Sequence, residues 1–211
     1  MVSPLNEYLA TLFMFLASIN FTLLYMSVFK LKMGTLLRNA EFRFYLTVIL
    51  LSTLFIMTLL VLQMDYGLEH AFRSALFQVV SFISTTGLTS TDAGLWPHLT
   101  WAVFALLMFC GACSGSTTGG FKSIRVLMLL KVLRNEFRHI LHPNAVLPVK
   151  MSGQSIPQSR LVTLLAFATI YVIALLLITT VMTVSGIDIT NAVTIALSLV
   201  SNVGAGLDTN I

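Results

Sequence analysis

Ser81-Phe82-Ile83-Ser84-Thr85-Thr86-Gly87-Leu88 and Ser198-Leu199-Val200-Ser201-Asn202-Val203-Gly204-Ala205 share the pattern Ser-x-x-Ser-x-x-Gly and lie 117 residues apart, each closing a short apolar stretch. A stretch too short to cross a bilayer as a helix, ending in polar residues and Gly, reads as a re-entrant pore element whose backbone carbonyls replace the water around an ion. Aligning residues 71–88 with 188–205 gives only four identities, at Ala75/Ala192, Ser81/Ser198, Ser84/Ser201 and Gly87/Gly204. The repeat therefore rests on a matching order of long apolar span, short helix and Gly turn. Gly permits the positive φ that turns carbonyls toward one axis. Ordinary loops between spans would leave the apolar face of residues 74–88 outside the membrane without a reason.

Composition supplies the solvent for these segments. With 57% hydrophobic and 9% charged residues, the chain lies far from a soluble globule, whose charged fraction is about 25%. The expected fold class is an all-α integral membrane protein. Four stretches have the roughly 17 to 25 residues or more that a spanning helix needs: 8–29, 44–64, 95–121 and 161–187. The first is too long for a cleavable signal, and its positive charges follow the apolar run instead of preceding it, so it reads as a retained helix.

Charge placement orients the spans. Of the twelve Lys and Arg, all but Arg73 fall in two segments: Lys30, Lys32, Arg38 and Arg43, then Lys122, Arg125, Lys131, Arg134, Arg138, Lys150 and Arg160. Both segments should be cytoplasmic, which places Glu7, Asp65, Glu69, Asp92, Asp188 and Asp208 outside. The net charge of +4 then follows from topology and does not point to nucleic acid. The spans ending at Met64 and starting near Leu95 both lie outside at that junction, so the apolar residues between them must dip in and return. A helix from about His70 to Ser84 would reach roughly 20 Å, and its C-terminal dipole end would face the membrane centre, where it favours a cation. In the second unit, 161–187 ascends, Ile189 to Ser201 descends and 202–206 turns back.

The third span carries its own break. Residues 111–120 read Gly-Ala-Cys-Ser-Gly-Ser-Thr-Thr-Gly-Gly, with four glycines, each costing about 1 kcal/mol in a helix relative to Ala. Such a break at membrane depth needs burial in protein or a wet cavity. Close helix packing through small residues is the other account, and both can hold together.

The Ser-Thr-Thr-Gly-Leu at 84–88, the Cys-Gly-Ala-Cys-Ser-Gly-Ser-Thr-Thr-Gly-Gly-Phe-Lys-Ser-Ile-Arg at 110–125, the His-Pro-Asn-Ala-Val at 142–146 and the Ser-Asn-Val-Gly-Ala-Gly at 201–206 together resemble the Trk/Ktr/HKT superfamily of potassium transport subunits, nearest its bacterial TrkH/TrkG branch. The resemblance covers nearly the whole chain. It implies potassium-channel-like repeats of helix, pore loop and helix, four per subunit, usually in a dimer. Residues 1–43 resemble the last helix of the second repeat plus a cytoplasmic loop, 44–134 a complete third repeat, 135–160 a cytoplasmic linker, and 161–211 a partial fourth repeat. The chain thus resembles a fragment holding two of four filter quarters.

In that family Thr85, Thr86, Gly87 and Leu88, with Asn202, Val203, Gly204 and Ala205, match the ion-coordinating filter. Gly111, Gly115, Ser116, Thr117, Thr118, Gly119 and Gly120 match an intramembrane gate loop below it. The implied activity is potassium uptake across the bacterial inner membrane by a multi-pass protein, channel-like or symporting, with K⁺ as cargo and no cofactor in this chain. A non-conducting scaffold or truncated regulatory homologue is the rival. The Lys131–Arg160 segment, with Lys131, Arg134, Arg138 and His139 on a short amphipathic helix, suits anionic lipid headgroups. It also resembles the docking face for a cytosolic nucleotide-binding regulatory subunit of the TrkA type.

Other constellations carry little. Gly115 to Ser123 departs from a phosphate loop because Phe121 separates Gly120 from Lys122 and no strand precedes it. Cys110 and Cys113 have no second pair and read as buried thiols. His139 and His142 read as solvated. No acid is placed mid-span, which speaks against a membrane-embedded enzyme. Trp96 and Trp101 suit an outer-interface anchor.

Overall fold

Caps and glycines divide the apolar chain into helices. The computed structural model describes residues 3–29, 33–91, 93–141, 149–151 and 154–204. Ser3 caps α1 (Pro4–Ala17), whose second helix α2 (Phe21–Phe29) follows a sharp break; α3 (Met33–Arg38) then leads into α4 (Ala40–Met64). Asn39 accepts the Glu41 and Phe42 N–H groups at 2.9 and 3.1 Å, satisfying two orphan donors of α4, and a left-handed Asp65 ends it. Next come α5 (Leu68–Ile83), a single 3₁₀ turn (Ala93–Leu95), α6 (His98–Cys110) and α7 (Ser123–Leu141). A two-residue ladder, β1 (Lys150–Met151) against β2 (Gln154–Ser155), precedes α8 (Gln158–Val184) and α9 (Ile189–Ser201).

The chain is a membrane protein of all-α class, the short ladder aside. By length and composition α4 and α8 can each cross a bilayer alone. At 1.5 Å per residue their 25 and 27 residues extend about 37 and 40 Å.

Three expectations require correction. The stretch 8–29 is not one helix: α1 and α2 meet at a bend of 105°. Ser18 ends α1, and Asn20 Oδ1 accepts the Thr22 and Leu23 N–H groups at 2.9 and 3.3 Å, which starts α2 on a new axis. The stretch 95–121 holds a helix only from His98 to Cys110, too short to span; the break foreseen at 111–120 is present and runs to Lys122. The amphipathic helix at Lys131–His139 is not short, because it continues α7 from Ser123 without interruption.

α5 is the best-enclosed element, packed against α1, α4 and α6. Ala71, Ala75, Val79, Phe82 and Ile83 are completely buried, and Phe82 packs at a tilt against Phe104 of α6, which also touches Trp96. α9 packs on α8 and α6. A second apolar cluster joins Phe109 and Phe121 to Phe167 and Tyr171 of α8, with the Arg125 guanidinium 4.0 Å from the Phe167 ring centroid.

The charge pattern is visible in the ends of the bundle. Arg43 of α4 and Lys131 of α7 line one cleft, so the two basic segments share an end. Arg73, the exception in the sequence, is 2.8 Å from Glu7 and 3.0 Å from Glu69, and Tyr8 donates to Glu69 at 3.3 Å. Glu7 is therefore buried in the first turn of α1, not in a loop. Trp96 is buried and so does not face the lipid interface, while the half-buried Trp101 donates its indole N–H to Thr194 of α9 at 2.8 Å.

Candidate functional site

The two Ser-x-x-Ser-x-x-Gly segments fold into equivalent turns. Thr85 and Asn202 have φ of 53° and 57°, and Gly87 and Gly204 have φ of 73° and 79°, while Thr86 and Val203 are outside the left-handed region. The hydrogen bonds match as well. Thr85 N and Asn202 N donate to Phe82 O and Leu199 O at 3.1 Å in both units; Thr86 N and Val203 N donate to Ser81 O and Ser198 O at 3.0 and 2.9 Å. Left-handed residues alternating with ordinary ones remove the up-down alternation of carbonyls found in a strand, so successive C=O groups can face one side. This conformation is strained by about 1 kcal/mol or more for a residue with a Cβ, which is why Gly stands at 87 and 204.

Side chains complete each turn. Ser81 Oγ donates to Leu88 O at 2.5 Å, Ser84 Oγ lies 2.7 Å from Thr86 Oγ1, and Gln78 of α5 donates to Thr91 O at 2.9 Å. In the second unit the Ser201 hydroxyl pairs with Tyr171 Oη of α8 at 2.8 Å. Ala205 lies outside the described residues, as do 142–148 and 206. Trp101, through Thr194, ties the first unit to the second.

Residues 111–122 form a loop closed at its base. Phe121 N donates to Phe109 O at 3.3 Å, Ser123 N to Ala112 O at 3.0 Å, and Ser123 Oγ to Gly111 O at 2.7 Å. The tip lies against both turns. Gly119 N donates to Thr85 Oγ1 at 2.8 Å, and a Cβ at Gly119 would stand 2.2 Å from Ser201 O and 3.1 Å from Asn202 Cβ. Only Gly fits there, because the obstruction is backbone. Lys122 curls back over the tip, with Nζ donating to Thr118 O and, at 3.0 Å, to Thr118 Oγ1.

Of the residues expected from sequence, Thr85 and Asn202 meet the glycine loop at Gly119, while Thr86–Leu88 and Val203–Gly204 continue the two turns beyond that contact. Two participants escaped the sequence reading. Asn20 Nδ2 donates to Ser114 O at 2.6 Å from the bend between α1 and α2, and the Glu41 carboxylate receives both Ser114 N–H and, at 3.2 Å, Ser114 Oγ. Asn20 carried a signal, since an Asn inside an apolar run is a capping residue in waiting. Glu41 carried none, sitting between Arg38 and Arg43 where a solvated acid is the ordinary reading. Cys110 and Cys113 are free thiols, and among the described residues no cluster of His, Cys, Asp and Glu could hold a metal ion.

The chain is similar to known proteins along nearly its whole length. The family described as TrkH, cation transport protein, matches residues 1–210. The Trk system potassium uptake protein TrkH of Salmonella typhimurium is 29% identical over 208 residues, covering 97% of this chain and 43% of the relative. TrkG of Escherichia coli K12 is 30% identical over 206 residues, covering 95% and 42%. The crystal structure of the potassium transporter TrkH from Vibrio parahaemolyticus superposes with a TM-score of 0.93 at 28% identity, covering 99% of this chain and 45% of that one. The chain therefore spans less than half the length of these relatives. It belongs to the TrkH family of cation transport proteins.

Proposed function

We propose that this chain forms part of a potassium uptake subunit in which K⁺ passes carbonyl-lined sites at residues 85–88 and 202–205, with the loop 111–120 as the gate beneath them. The supporting observation is the shared backbone of the two turns, which have the same left-handed positions and two equivalent hydrogen bonds each, with one loop residue touching both. Carbonyl oxygens in such a turn can stand in for the hydration shell of a cation. α5 and α9 reinforce this by directing their C-terminal dipole ends toward the same region. Potassium is the proposed cargo because the similar proteins are named for its uptake.

In this reading 44–134 is a whole repeat, 1–43 and 161–211 belong to its neighbours, and the remaining filter quarters come from chain outside these residues. The subunit sits in a bacterial inner membrane and works as a dimer. Its basic cytoplasmic face meets anionic lipid and a TrkA-type regulatory subunit. No observation favours the scaffold reading, which gives no role to the left-handed turns. The test is rescue of a potassium-uptake-deficient strain at low external K⁺ by the complete open reading frame carrying these residues. Rescue that is lost on Gly87→Ala and Gly204→Ala supports the proposal; a complete frame that inserts in the membrane and never restores uptake overturns it.

A further inference from the structure

The loop 111–122 is held very differently along its length. Its entry is gripped from three elements: Cys113 N donates to Ser18 O at 3.2 Å, Phe21 N to Gly115 O at 3.1 Å and Asn20 Nδ2 to Ser114 O at 2.6 Å, while Glu41 takes Ser114 N–H and its hydroxyl. Beyond Gly115 the bonds turn inward. Ser116 Oγ donates to Cys113 O at 2.5 Å and lies 2.7 Å from Thr118 Oγ1, and Lys122 engages Thr118. Among the described residues, the tip's hydrogen bonds outside the loop are those of Gly119 N to Thr85 Oγ1 and of Thr117 Oγ1 to Ala17 O at 3.4 Å.

Glu41 is the unusual member of this set. Acids in a first helical turn suit the helix dipole, but that service needs no burial. Glu69, in the first turn of α5, has a side chain 65% exposed; Glu7, in the first turn of α1, is buried against Arg73. Glu41 is 5% exposed, and what it engages is loop backbone and hydroxyl. The Ile124 N–H, at the start of α7, also faces it. A carboxylate withdrawn from water inside a membrane protein is costly and persists where its hydrogen bonds are specific. Here they join the entry of the loop to the start of α4, with one N–H of the first turn of α7, that of Ile124, turned to the same carboxylate.

We propose that Glu41 is a positioning residue for the gate: its carboxylate anchors Ser114 and the start of α7 to α4, so that loop movement is confined to residues 116–120. The inference rests on the gate reading above for its functional consequence, but the anchoring itself does not. Cys113, adjacent to Ser114 and 1% exposed, is a native reporter of the anchored segment. In the complete open reading frame, with Cys110 and any cysteine outside these residues changed to Ser so that Cys113 is the sole thiol, maleimide labelling of Cys113 in membranes reads anchoring, and rubidium influx reads gating.

Loss of charge-assisted hydrogen bonds in Glu41→Ala should speed Cys113 labelling about tenfold or more, with Glu41→Gln intermediate because its amide oxygen still accepts. Glu69→Gln should leave labelling unchanged. Ser114→Ala, which keeps the N–H, should move labelling in the same direction by less, and adding it to Glu41→Ala should add nothing. It serves also if Glu41→Ala fails to assemble. Rubidium influx should change in Vmax with the K⁺/Na⁺ ratio preserved. Faster labelling with unaltered influx would keep the anchor and overturn the gate reading. Labelling unmoved by Glu41→Ala and Ser114→Ala, or moved equally by Glu69→Gln, would overturn the anchor.

Discussion

Thr85 and Asn202 occupy equivalent left-handed positions, yet the Ser84 hydroxyl turns back into its own hairpin toward Thr86 whereas that of Ser201 leaves its hairpin for Tyr171 on α8. The helices behind the turns differ in the same sense. α5 is buried from Val79 to Ile83 and shielded by three helices, while α9 leans on α8, of which only Leu164 and Tyr171 are buried. One turn is supported from within and the other from outside. Equivalent backbone geometry can thus be reached by unrelated side-chain means, and the two turns should fail in different ways.

The substitution with the largest expected effect strikes both turns at once. Gly119→Ala drives a Cβ into Ser201 O and displaces the Thr85 contact, so rubidium influx should fall more than about tenfold, as overpacking against backbone costs 1 to 3 kcal/mol or more. Influx equal to wild type would mean that the loop does not rest on the turns.

Next in size are the paired tests of the two supports. Tyr171→Phe and Ser201→Ala each remove one hydrogen bond, worth about 1 kcal/mol, and should be non-additive in thermal stability and influx because they break the same contact. Ser84→Ala should add fully to either. Additivity between Tyr171→Phe and Ser201→Ala would erase the difference between the turns.

Thr85→Val removes the acceptor for Gly119 N and leaves a half-buried donor unpaired, whereas Thr85→Ser keeps it; the expected gap is about 1 kcal/mol, seen as a several-fold difference in influx. The smallest effect belongs to Glu69→Gln, which touches an exposed partner of Arg73 and should shift stability by at most about 1 kcal/mol, because Glu7 retains the ion pair.

The legibility of the chain follows the range of the interactions. The short helices were readable because apolar length and a following Gly are local: α9 begins and ends where the sequence placed it, and α5 is longer by two residues at its start. The bend at Ser18-Ile19-Asn20 was fainter, since Asn20 alone hints at a cap, no Gly or Pro marks the break, and the partners of Asn20 and Phe21 are Ser114 and Gly115, reached only by tertiary packing. The register of α7 was hidden for a related reason. Its first turns mix Ile, Val and Leu with Arg125 directly after the loop residue Lys122, so only the basic half from Lys131 showed a helical face. At the site, the glycines announced the turns and the loop, but that Gly119 would meet both turns depends on how α6 delivers the loop between α5 and α9.

If the two turns present equivalent ion sites, Gly87→Ser and Gly204→Ser should each disturb selectivity, measured as K⁺ against Na⁺ influx in the complete open reading frame. Each change places a Cβ and a hydroxyl at a left-handed position, 73° and 79° in φ, and should distort the local carbonyls. The expectation is that both variants lose K⁺ preference. Membrane-inserted, transporting variants with K⁺/Na⁺ preference untouched would contradict it.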